Sequence, residues 1–247
     1  MRTLLFGVLL SATAVLLSPM SAQAGSFSVS PLRVDFSSIA QTGALTVRSQ
    51  QDGGVMLEAQ AMLWEQVDGE DRLTPTRDVL VSPVVFTLQP NGSQLVRVAL
   101  QRPADPQREL SYRLILTEVQ PQAEADFTGL NVALRISLPI FVEPIATAPP
   151  AIEWTATRRL GGALDVTARN AGNAHARVLN FSVAPIAASD EPIREQVTAY
   201  ILPDQARTWT LDIPQKDGTS GTDWHRLRVK GASEAGDFEL EISPGDG

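Results

Sequence analysis

The chain contains no cysteine, so no disulfide braces it and packing alone must hold its core. Its two histidines, His175 and His225, lie far apart in sequence. With no cysteine and no close histidine partner, neither nucleates a zinc site, and no metal is assigned. Aromatic residues make up 6% of the chain, little material for a ring-lined glycan surface. Basic residues are also short: 20 Lys and Arg against 28 Asp and Glu give a net charge of −8. The acids are scattered, a balance that speaks against nucleic acid or an anionic membrane as partner.

Catalytic signatures are missing as well. There is no G-x-S-x-G and no sequence-local Ser/His/Asp set. Gly53-Gly54 and Gly161-Gly162 open no helix, so neither cradles phosphate. Asp68, Glu70 and Asp71 lack the ligand spacing of a calcium loop and read as a solvated turn. No catalytic residue and no cofactor is assigned, and an enzyme is not expected.

Long apolar runs are lacking except at the start. Arg2, the run Leu4 to Leu17 and Ala22-Gln23-Ala24 give residues 1–24 the form of a secretory signal peptide. The run is short for a membrane span, and a periplasmic protein that is not membrane-embedded is expected.

What the sequence does contain is alternation. Ser26 to Phe36, Ala44 to Arg48, Val55 to Trp64, Leu80 to Leu88, Leu95 to Leu100 and Tyr112 to Val119 read as strands. Asp52-Gly53-Gly54, Asp68 to Asp71 and Pro90-Asn91-Gly92 read as turns. Asn91-Gly92-Ser93 is formally a glycosylation sequon, but the turn reading suffices. The organising stretch is Leu130 to Val142, LNVALRISLPIFV. Val132, Leu134, Ile136, Leu138 and Ile140 form one aliphatic row, because side chains alternate faces along a strand. Pro139 lacks an N–H and places the strand at an edge or its own end there. Such a row either packs into the sandwich core or is offered to another chain.

That makes about seven strands in the first part, the pattern of an immunoglobulin-like sandwich. Residues 25–144 are read as that domain and 145–151 as a Pro/Ala linker. Residues 152–247 are read as a second β-sandwich, with strands at Ile152 to Thr157, Ala163 to Arg169, Ala176 to Val183, Gln196 to Ile201, Arg207 to Ile213, Trp224 to Val229 and Phe238 to Ile242. Asn170 to Asn173 and Lys216 to Thr222 are turns. Arg33 and Arg135 stand inside apolar segments. Each either faces solvent at a strand edge or turns inward and meets an acidic partner.

These segments together resemble the periplasmic pilus-assembly chaperones, the PapD-like family of chaperone–usher systems. VSPLRV (Val29 to Val34) is similar to that family's first strand with its arginine. LVSPVVFTLQPNGSQLVRVAL (Leu80 to Leu100) resembles its proline-containing strand, turn and following strand, and Glu109 to Leu114 the opening of its sixth. NVALRISLPIFVEP resembles its seventh strand, and ALDVTARNAGNAHARV (Ala163 to Val178) a stretch of its second domain. The Ser-Leu-Pro-Ile-Phe-Val run and the Asn-Ala-Gly-Asn-Ala-His turn look like the archaic, spore-coat-type branch.

The resemblance implies an all-β protein of two immunoglobulin-like β-sandwich domains in a boomerang arrangement. It implies a chaperone that binds pilin, fimbrial or surface-coat subunits by donor-strand complementation and delivers them to an outer-membrane usher. Val132, Leu134, Ile136, Leu138 and Ile140 would then be the donor row. Arg33 would anchor the subunit's terminal carboxylate. The family's second cation, a lysine, is replaced by Pro139, and Arg135 is the substitute on the same strand. The competing class is an exported glycan-binding or structural surface sandwich, for which two strand sets and few aromatics are a poor match.

Overall fold

The computed structural model describes residues 27–50, 52–120, 132–146, 149–159, 162–186, 192–213 and 224–246. The expected signal peptide at 1–24, Ser26, most of the loop before Leu130, Leu130 itself, part of the expected linker, Gly161 and all of the expected 216–222 turn lie outside the described residues.

The first domain carries Phe27–Ser30 (β1), Val34–Phe36 (β2), Thr42–Ser49 (β3), Val55–Val67 (β4) and Glu70–Pro75 (β5). Val79–Ser82 (β6), Val85–Leu88 (β7), Ser93–Leu100 (β8), Leu110–Glu118 (β9) and Arg135–Val142 (β10) complete it. One sheet runs β1-β3-β8-β6 and the other β2-β10-β9-β4-β5, with β7 also on β4. Their inner faces share one core that includes Phe36, Leu45, Leu57, Val96, Leu114 and Ile140.

Two expected strands are each split in the structure. Ser26 to Phe36 breaks at Pro31, and Leu80 to Leu88 breaks at Pro83. Proline has no N–H and cannot continue a ladder. In both places the chain before the proline pairs in one sheet and the chain after it in the other. Both Ser–Pro peptides are cis. A further strand, β5, was not expected: the turn is only Asp68-Gly69, with φ of 52° and 81°, and Glu70 already pairs with Val67. β5 is polar and lies at the sheet edge, so it carries no apolar alternation.

The second domain carries Ile152–Arg158 (β11), Ala163–Asn170 (β12), Ala176–Pro185 (β13) and Ile193–Ile201 (β14). Ala206–Asp212 (β15), Leu227–Ser233 (β16), Gly236–Ile242 (β17) and Gly245–Asp246 (β18) follow. Sheets β15-β12-β11-β18 and β14-β13-β16-β17 close over a core including Trp154, Leu164, Val166, Phe181, Ile201 and Val229. The described elements are all strands, and no helix among them is long and apolar enough to cross a membrane.

Candidate functional site

The aliphatic row of β10 is graded. Leu138 and Ile140 are fully inside the first domain's own core. Leu134 and Ile136 pack against that core but stay partly open, and Val132 is 59% exposed. The grading follows from pairing. β9 runs antiparallel along all of β10, from Arg135↔Thr117 to Val142↔Leu110. On the other side, β2 runs parallel and covers only Ile140 to Val142. Among the described residues no strand pairs with that side of Arg135 to Pro139. The chain therefore presents a free edge with half-buried aliphatic residues beside it, and Pro139 sits where that edge meets β2.

At its lower end, the opposite face of β10 meets the second domain. Phe141 alternates away from Ile140 and joins Trp64 and Leu202 in a separate apolar cluster at the domain junction, with Leu73 and Tyr200 against it. His175 stacks flat on Phe141, ring centroids 3.5 Å apart. Buried Glu109 receives the His175 backbone N–H at 3.0 Å and lies 2.9 Å from its Nδ1. Gln66 crosses the same junction: its amide donates to the Tyr200 carbonyl at 2.9 Å, and its Oε1 accepts from the Leu202 N–H at 3.0 Å. Buried Asn170 shapes the turn that delivers His175. Its amide donates to the carbonyls of Ala174 and Ile201, and its Oδ1 accepts from Gly172 and Ala151. Gly172 is required there, since a Cβ would lie 2.4 Å from the Pro149 carbonyl oxygen.

Arg33 occupies the sheet-to-sheet crossing between β1 and β2, not the interior of a strand. Its Nε donates to Asp35 at 2.9 Å, and its Nη1 pairs with Glu234 of the second domain. Desolvation works against its charge, but the bonds to Glu234 and Asp35 outweigh it and hold the guanidinium above its usual pKa. By the parallel register, Arg33 stands beside Pro139. It also lines a cavity of about 430 Å³ walled by Ile152, Trp154, Val178, Phe238 and Leu240. Arg135 does not line that cavity; it is exposed, four residues up the strand, roughly 13 Å from Pro139. The structure does not bring Arg33 and Arg135 together.

Two other arginines stand nearer. Arg113 pairs across from Pro139, and its guanidinium carbon lies 3.6 Å from the Trp64 ring centroid. Burial pushes its pKa down, opposed by the charge of Asp71. Arg177 lines the same cavity as Arg33 and lies 5.3 Å from the Tyr200 ring centroid. Neither was marked by the sequence. Alternation alone turns Arg113 outward between Tyr112 and Leu114, but nothing in one strand says that a second domain covers that face.

Two stacked-sheet domains joined at a polar-rimmed cleft, one of them with an open strand edge, define a two-domain immunoglobulin-like sandwich built around a groove. Residues 26–148 match the family described as pili and flagellar-assembly chaperone, PapD N-terminal domain. The chain belongs to these PapD-like pilus-assembly chaperones. No curated protein matches its sequence. Solved structures match its fold. One is the CsuC–CsuE chaperone–tip adhesion subunit pre-assembly complex from archaic chaperone-usher Csu pili of Acinetobacter baumannii: 16% identity, TM-score 0.64, 89% of this chain and 99% of that chain. The E. coli chaperone DraB matches with 20% identity, TM-score 0.57, and 89% and 97% coverage. The Salmonella enterica SafA pilin in complex with the SafB chaperone gives 18% identity, TM-score 0.57, and 90% and 98% coverage.

Proposed function

We propose that this pilus-assembly chaperone works in the periplasm by donor-strand complementation. It holds pilin, fimbrial or surface-coat subunits and passes them to an outer-membrane usher. The observation that carries the mechanism is the free edge from Arg135 to Pro139, flanked by half-buried Leu134 and Ile136. A subunit strand added there gains main-chain hydrogen bonds, while Val132, Leu134 and Ile136 fill its pockets. Leu138 and Ile140 extend the row but are held by the chaperone's own core, so they fix the strand that the upper residues offer.

Arg33 is the carboxylate anchor in this reading. It sits at the foot of the free edge, where the added chain ends. A guanidinium grips a carboxylate through two parallel hydrogen bonds, a fork that lysine lacks. Anchoring one end sets the register, and a one-residue slip would turn every side chain to the wrong face. The test is capture of a pilin subunit by the protein and by Arg33→Ala. The variant is expected to fold normally and bind about 30-fold more weakly or worse. Equal capture by Arg33→Ala would overturn the anchor.

A further inference from the structure

The cavity that Arg33 lines has a second feature that donor-strand capture does not require. Its walls are the open end of the second sandwich: Ile152 and Trp154 from β11, and Phe238 and Leu240 from β17. Its volume, about 430 Å³, falls in the range of ligand pockets, and the lining is mostly apolar with a few polar groups at the rim. Two of those groups are arginines. Glu234, from the turn between β16 and β17, already places a carboxylate on Arg33 at this rim. It thereby marks where an external carboxylate would sit. Arg177 stands next to it, since the Glu234 N–H donates to the Arg177 carbonyl at 3.0 Å. The Arg177 Nε is buried with no hydrogen-bond partner, and among the described residues no carboxylate pairs with its guanidinium.

We propose that this cavity receives the last residue of the captured subunit, and that the residue is large and apolar. Its side chain packs against the stacked Trp154 and Phe238 rings, whose centroids lie 5.2 Å apart, and its α-carboxylate takes the place of Glu234 on Arg33 and pairs with Arg177. Arg177, on the second domain, thus does the work of a second cation that β10 lacks at Pro139. The inference rests on the donor-strand reading and adds a preference that reading does not contain: client choice by the identity of the final side chain.

The test uses synthetic peptides with the same alternating apolar row, ending in Phe, in Phe amide or in Asp, titrated into the protein by calorimetry. Trp154 fluorescence reports entry into the cavity. The Phe acid is expected to bind about tenfold tighter than either of the others. Arg177→Ala is expected to shrink the acid-over-amide ratio several-fold. Ala235→Trp fills the mouth from an exposed turn and is expected to erase the Phe-over-Asp preference while keeping the acid-over-amide one. Arg135→Ala is expected to change neither ratio. N-acetylphenylalanine alone separates chain-end recognition from free-carboxylate binding: matching the Phe peptide in affinity would overturn the chain-end assignment. Binding that depends on Leu134 and Ile136 but ignores the last residue overturns the pocket and leaves donor-strand capture standing. Absence of binding by every peptide overturns both.

Discussion

Phe141 and His175 stack face to face across the domain junction, with ring centroids 3.5 Å apart and planes within 7°. Phe141 is on β10, the strand that bears the aliphatic row, and His175 is on the second domain. The lower end of β10 is therefore held from behind by the other domain.

His175→Ala removes that stack and the Glu109 contact together. The domains are expected to sample a wider range of relative orientations, seen as a broadened interdomain distance distribution in small-angle scattering. Each domain keeps its own core, so circular dichroism should be nearly unchanged. A profile identical to wild type would show that Gln66 and the Trp64 cluster suffice to fix the junction.

The graded burial of β10 separates two kinds of substitution. Leu134→Asp and Ile136→Asp should leave the protein folded and abolish capture of a pilin subunit, since each removes about 1.5–3 kcal/mol of apolar burial at the interface. Ile140→Asp places a charge in a fully buried site and should prevent folding. Thermal melts beside pull-downs check both; a folded Leu134→Asp that still captures would sink the donor-strand mechanism.

Asn170→Ala leaves several buried backbone groups without partners, each worth about 1–3 kcal/mol. A fall in stability of at least about 2 kcal/mol is expected from urea unfolding. Loss should concentrate in the second domain, whose β12–β13 turn Asn170 organises.

Tyr112 gives an alkaline prediction. Burial, then the bond from its hydroxyl to Asp78 at 2.9 Å, pushes its pKa well up. The folded state thus holds this proton longer than the unfolded chain, whose tyrosines titrate near about 10. Its stabilising contribution is complete below that value and is lost as pH rises toward the higher folded-state value. Tyr112→Phe should flatten the decline of stability above about pH 10. An unchanged slope in denaturant titrations would refute this.

The sandwich architecture was legible because apolar alternation survives in nearly every core strand, and Val55 to Trp64 shows how far. Val55, Leu57, Ala59 and Ala61 point into the core as the period requires. Trp64 breaks the row because a second surface, the domain junction, buries the other face. Such faces are invisible in one strand, which is why Arg113, Arg177 and the Glu109–His175 pair were missed. The splits at Pro31 and Pro83 were half visible: proline marks the interruption, but only the ladder shows that the chain changes sheets there. Arg33 was singled out through the family's first-strand segment, and the structure places it on the rim of the cavity. Arg135 is on the same strand as Pro139 but away from the cavity, since strand parity fixes a face and not a distance.

The uneven burial along β10 also bears on how such a protein could change clients. Ile140 and Leu138 are constrained by the fold itself, and any replacement there must still fill the same interior space. Val132, Leu134 and Ile136 carry a much smaller structural obligation and, on the donor-strand proposal, can drift with the subunit. On that proposal, inheritance of the scaffold and adaptation to a new cargo would be written on separate halves of a single strand, a few residues apart.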